Sequence, residues 1–188
     1  MPMEALGRDK PWIFFDQDGT LNEWRWIETA VVRRPGYFRT CVPRRSVIGA
    51  VSLLCKEEDI IVGTYGAVWD DGHSRCDKDW WMETHCPCIS DDRRFYVPCG
   101  SEKASLFDKL LGRPIRRGDI LVDDCSEVLR SWETYGGTGV KIRTAENGRF
   151  GTWKGLSFDG REDPAFIASY LLRIARQINH QEEREVFL

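Results

Sequence analysis

Asp16 and Asp18 stand two positions apart in the stretch IFFDQDGTL, directly behind a short apolar run. Alternate side chains of an extended strand share a face, so carboxylates at i and i+2 converge on one spot while the chain stays extended. Other chemically capable residues also follow apolar runs: Thr64 after IIVG, Lys103 in VPCGSEK, and Asp123 with Asp124 in DILVDD. Brought together, they would form a site of acids, a hydroxyl and an ammonium. So many carboxylates in one place repel one another unless a cation offsets them, and all-oxygen donors favour a hard ion such as Mg²⁺. A site holding Mg²⁺ and Lys103 suits a phosphate.

A parallel sheet is what would gather these residues, because ligands of open α/β sheets bind at the carboxyl ends of the strands. Short apolar runs mark strands at Trp12 to Phe15, Ile60 to Val62, Phe95 to Val97, Ile120 to Val122 and Val140 to Ile142. Between them, apolar residues recur at helical spacing over Val47 to Cys55, Ala104 to Leu111 and Val128 to Tyr135. Asp163 followed by Pro164 announces a last helix carrying Phe166, Ile167, Tyr170, Leu171, Ile174 and Ile178, and the tail after Asn179 is expected to fray. The fold class is therefore α/β with a parallel five-stranded sheet. The stretch from about 22 to 45 breaks the alternation and is expected to be an insertion beside the site, mixing Trp24, Trp26, Tyr37 and Phe38 with six arginines.

The chain has 188 residues, enough for one domain with a sizeable core, and one domain over 1–188 is expected. A net charge of -3 gives no reason to expect nucleic acid or an anionic membrane as partner. No apolar run approaches the ~18 residues of a membrane span, and the first residues lack the apolar core of a signal peptide, so a cytoplasmic protein is expected. Seven cysteines outside a small secreted context favour reduced thiols.

The ordered set resembles the haloacid dehalogenase-like hydrolases through four motifs: FFDQDGTL, IIVGT, Lys103 in VPCGSEKASLF, and DILVDD. The resemblance implies a three-layer Rossmann-like fold and a phosphomonoesterase that uses Mg²⁺. Asp16 would be the nucleophile that forms an aspartyl-phosphate, and Asp18 the acid and base that protonates the leaving oxygen and then activates water. Thr64 would hydrogen-bond a phosphoryl oxygen and Lys103 would neutralise the phosphate. Asp123 would hold the metal with Asp16 and the carbonyl of Asp18, while Asp124 would hold metal-bound water.

A closer similarity is to the 5'(3')-deoxyribonucleotidases, carried by RPGYFRTCVPRRSVIGAVSLL, DKDWWMETHCPCI, FYVPCGSEK and DDCSEVLRSWETYGGTGVKI followed by NGRFGTWKG. It implies a nucleoside monophosphate as substrate. Tyr65 departs from the family, standing where a second small hydroxyl residue is usual, and is placed with the substrate-contacting residues. The insertion is also far shorter than a full helical cap. Base contact would then fall to stacking by Trp24, Trp26, Tyr37 or Phe38, with Arg39 reaching an anion. The alternatives are a phosphatase for another small phosphomonoester or a phosphorylated polymer end, and a non-catalytic phosphate-binding module of the same fold.

Plain structural readings compete for individual residues. Asp123 and Asp124 could form a solvated turn that caps a helix, and Lys78 or Lys109 could take the place given to Lys103. Aromatic residues in a short insertion often pin it to the body. His73, Cys76, His85, Cys86, Cys88 and Cys99 could supply zinc ligands, but paired C-x2-C knuckles are missing.

Overall fold

The computed structural model describes residues 10–24, 28–145 and 152–186, with side chains to residue 178. Trp26 and most of the NGRFGTWKG stretch lie outside the described residues. The strands are β1 (Trp12–Phe15), β2 (Ile61–Val68), β3 (Arg94–Pro98), β4 (Ile120–Asp123), β5 (Thr138–Arg143) and β6 (Leu156–Asp159). The helices are α1 (Thr29–Val32), α2 (Arg45–Leu54), α3 (Ser74–His85), α4 (Lys103–Leu111), α5 (Ser126–Thr134) and α6 (Pro164–Val186). All pairings are parallel, in the order β3-β2-β1-β4-β5-β6.

The sheet thus has six strands rather than the expected five. The extra strand, β6, is a four-residue edge strand buried fully at Phe158 alone, too short and too exposed to mark itself by an apolar run. β2 also runs past the expected end at Val62, which places Thr64 and Tyr65 inside the strand.

Strand alternation divides β1 between two cores. Ile13 and Phe15 face α2, α3 and α6, meeting Val47, Val51, Trp81, Met82, Ile167 and Leu171. Trp12 and Phe14 face α4 and α5, where Phe14 meets Phe107 and Trp132 edge to face. A strand buried on both faces must be apolar throughout, and WIFF is. α2 and α6 pack closely at Gly49, where an added Cβ would lie 2.9 Å from the Pro164 ring. Asp163 caps α6 as expected, its Oδ1 accepting from the Ala165 amide at 2.8 Å. α6 continues to Val186, through the stretch expected to fray. Among the described residues, no helix is long and apolar enough to cross a membrane.

Strand order reverses at β1: the chain builds β2 and β3 on one side, then crosses to β4, β5 and β6 on the other. Such a switch opens a crevice beyond the carboxyl ends of the central strands. Asp16 leaves β1 there, and Asp123 ends β4 beside it.

Candidate active site

Backbone pairing fixes the first carboxylate. The Asp16 amide donates to the Val122 carbonyl at 2.9 Å, extending the β1–β4 ladder one residue beyond the strand. Past Asp16 the chain winds into a turn over Gln17–Leu21 that is kinked at Asp18 and Gly19. Gly19 has φ +83°, and a Cβ on it would fall 2.6 Å from Asp124 Oδ2. Only glycine fits both the left-handed backbone and the approach to that carboxylate.

Lys103 opens α4 and is buried among acids. Its Nζ donates to Asp16 Oδ1 at 2.5 Å and to Asp123 Oδ2 at 2.8 Å. Asp123 Oδ1 accepts from the Cys125 amide at 2.8 Å, which ties it to the start of α5. Burial opposes the charge on Lys103, but Asp123 and Asp16 outweigh it and hold the ammonium above its ordinary range. Burial pushes the Asp16 carboxyl up to about 6; Lys103 opposes this rise, while Asp123 and Asp18 add to it. Burial, with Asp123 and Asp16 nearby, pushes Asp124 up to about 7.

Burial is the main cause of both shifts, and the neighbouring carboxylates add to it. Oxygens of Asp16, Asp123 and Asp124 lie within 4.8 Å of one another, and this is the one such acid, cysteine or histidine group among the described residues. Three hard carboxylate donors at that spacing fit Mg²⁺. Asp18 is outside the trio: its Oδ2 accepts from Lys78 Nζ at 2.5 Å and its Oδ1 from Asn22 Nδ2 at 3.2 Å.

These groups line a cleft of about 560 Å³. Its lining combines charged Asp16, Asp18, Lys78, Lys103, Asp123 and Asp124 with apolar Trp24, Val32, Phe38 and Trp69. The Arg33 guanidinium lies over the Trp69 ring, 4.5 Å from its centroid.

Several expected contacts are placed elsewhere. Thr64 is buried beside Phe15 in the β1–β2 register and does not line the cleft; its hydroxyl has no hydrogen-bond partner among the described residues. Tyr65 points into the opposite core against Phe14, Phe107 and Trp132, because β2 is still extended there, and its hydroxyl donates to the Lys103 carbonyl. It supports the site from beneath instead of meeting a ligand. Arg39 pairs with buried Asp77 through Nε at 2.5 Å and lies over Trp80, so its charge is already engaged. Asp77 also accepts from the Gly36 amide, binding the 36–39 stretch to α3. Tyr37 packs against Phe38 and the main core, outside the cleft. Trp153 packs over Gly139 and donates Nε1 to the Leu156 carbonyl, a structural task at the β5–β6 edge.

The residues proposed for zinc do not gather as a set. Cys86 and Cys88 meet Cys55 instead, near the amino ends of β2 and β3, while Cys99 lies at the cleft.

Lys78 and Trp69 are cleft residues that the sequence reading did not select. Lys78 entered it only as a rival to Lys103, although burial of Ser74, Asp77, Lys78, Trp81 and Met82 at helical spacing marks one inward face of α3. Trp69 follows the unexpected extension of β2.

The sequence matches no family model, and no curated protein matches it. Solved structures do. The D,D-heptose 1,7-bisphosphate phosphatase from B. bronchiseptica, complexed with magnesium and phosphate, aligns with a TM-score of 0.60 at 17% identity, covering 87% of this chain and 98% of that one. The same phosphatase from Burkholderia thailandensis aligns at 0.57 with 15% identity, covering 86% and 99%. At such identities the likeness is one of architecture: this chain shares the parallel α/β fold of those phosphatases.

Proposed function

We propose that the protein is a Mg²⁺-dependent phosphomonoesterase acting through an aspartyl-phosphate on Asp16, with nucleoside 5'-monophosphates as its substrates. The observation that carries this reading is the Lys103 ammonium shared by Asp16 and Asp123, with Asp124 close enough to complete a hard-ion site at the strand switch. The magnesium and phosphate of the B. bronchiseptica phosphatase, on the same fold, support it.

Asp16, Asp123 and Asp124, with the Asp18 carbonyl, would hold Mg²⁺, which supplies charge stabilisation for the phosphoryl oxygens. Asp16 attacks phosphorus while Asp18 gives its proton to the departing oxygen; Asp18 then takes a proton from the water that releases phosphate. Lys103 keeps Asp16 ionised and aimed, and neutralises the incoming phosphate.

Trp24, Phe38, Val32 and Trp69 favour a leaving group with a flat apolar face, which a nucleoside has and a polyhydroxylated sugar lacks.

The test is phosphate release by purified protein with Mg²⁺ across nucleoside monophosphates, sugar phosphates and 5'-phosphorylated oligonucleotides. Asp16→Asn should lower turnover by roughly 10³-fold or more while staying folded. Near-normal turnover in that variant would refute the nucleophile assignment, and preferential release from sugar phosphates would refute the substrate.

A further inference from the structure

Lys78 is a buried cation to which the reaction above gives no task. It lies on the inward face of α3 with 1% of its surface exposed. Its Nζ donates to Asp18 Oδ2 at 2.5 Å and to the Ala67 carbonyl at 2.6 Å, and it stands 4.5 Å from the centre of the Phe38 ring. Burying an ammonium is unfavourable unless its charge and donors are satisfied, so this lysine is held by an assembled set of partners.

Lys78 and Lys103 divide three of the cleft carboxylates between them. Lys103 serves Asp16 and Asp123, whereas Lys78 serves Asp18. With Asn22 on the other oxygen, Asp18 is gripped at both ends of its carboxylate. Phe38, Ala67, Trp69 and Lys78 all line the cleft.

We propose that Lys78 is a positioning residue for the leaving-group side of the reaction: it fixes Asp18 where its proton reaches the ester oxygen. The inference rests on the phosphomonoesterase reading. In the first step an Asp16–phosphorus bond forms and the bond from phosphorus to the ester oxygen breaks. The electron pair stays on that oxygen, and the Asp18 proton joins it. In the second step water attacks phosphorus, the bond to Asp16 breaks, and the water proton returns to Asp18. Lys78 keeps its protons throughout and acts through Asp18.

Demand for that proton depends on what departs. An alkyl alcohol is a poor leaving group without protonation, whereas nitrophenolate departs unaided. The test compares a nucleoside 5'-monophosphate with p-nitrophenyl phosphate as substrates for the wild-type protein, Lys78→Met and Lys78→Gln, each also made in an Asp18→Asn background. Lys78→Met should lower kcat/KM, which reports the step in which the leaving group departs, about 100-fold on the nucleotide and less than about tenfold on the nitrophenyl ester. Lys78→Gln, which keeps a donor toward Asp18, should recover part of the loss. In the Asp18→Asn background neither change should add a further loss, because the residue it acts through is gone.

Equal losses on both esters, or undiminished losses in the Asp18→Asn background, would overturn the inference and leave the phosphatase reading standing. A wild-type protein inactive on both esters would overturn the phosphatase reading and this inference with it. Circular dichroism checks folding, and if Lys78→Met does not fold, Lys78→Gln carries the same comparison.

Discussion

The Tyr65 hydroxyl donates to the backbone carbonyl of Lys103 at 2.5 Å, so the residue that opens α4 is tied to β2 from below while its ammonium reaches the acids above. Tyr65 is fully buried, and burial pushes its hydroxyl above the ordinary range, which keeps it a donor. Replacing it with serine should destabilise the fold by about 3–5 kcal/mol through the cavity left among Phe14, Phe107 and Trp132. Tyr65→Phe removes the hydrogen bond alone and should cost about 1–2 kcal/mol. Urea unfolding of the two variants separates these effects.

Removal of divalent metal by a chelator should abolish phosphate release, and added Mg²⁺ should restore it. Asp124→Asn should raise the Mg²⁺ concentration needed for half-maximal activity by about tenfold, since it removes one of three closely spaced carboxylates. Activity that persists in chelator would contradict the metal assignment.

Gly19→Ala tests the site without relying on turnover. The new methyl group would meet Asp124 Oδ2 on a backbone at φ +83°, so the variant should lose about 1–2 kcal/mol of stability and bind Mg²⁺ more weakly. Thermal melting and calorimetric titration of Mg²⁺ provide the readouts; unchanged values in both would show that the turn relaxes freely.

Buried Asp119 anchors the opposite end of the sheet. It receives Arg113 at 2.6 and 2.8 Å, the Arg116 amide at 2.9 Å and the Trp12 amide at 3.3 Å. Asp119→Ala strands a guanidinium and two amides and should destabilise the protein by about 3–5 kcal/mol. Because the change is remote from the cleft, KM of the surviving folded fraction should stay unchanged.

Trp24→Ala and Trp69→Ala should each raise KM for nucleoside monophosphates by roughly 5- to 100-fold, the range expected for lost stacking. KM for glycerol phosphate should barely move. Equal effects on both substrates would place the indoles in a packing role.

The sheet and its acids are legible in the sequence because both depend on short-range patterns. WIFF, ILVD and the residues behind them announce buried parallel strands, and the structure brings Asp16, Asp18, Lys103, Asp123 and Asp124 to one cleft. What escaped depends on long-range geometry. An expected end of β2 at Val62 puts Tyr65 among the substrate-contacting residues and leaves Trp69 unselected; pairing with β3 extends the strand to Val68, turning Tyr65 into the core and carrying Trp69 to the cleft. Arg39 resembled a free cation until α3 placed Asp77 against it, and no local pattern links residues so distant. Lys78 was hidden for a similar reason: its partner Asp18 lies on another element, so only the packed α3 face distinguishes it from a solvated lysine.

The central pairing of β1 with β4 joins Ile13 to Ile120, and Asp16 is locked through Val122. A chain growing from its amino end therefore emerges with Asp16, Asp18, Lys78 and Lys103 all present but with the slot beside β1 still vacant. Until the later half of the molecule inserts there, Lys103 lacks Asp123 and the acid trio is incomplete. Contacts of such wide sequence separation form late and slowly. Competence for chemistry should thus return during refolding only with the last central strand, making catalysis a clock for closure of the sheet.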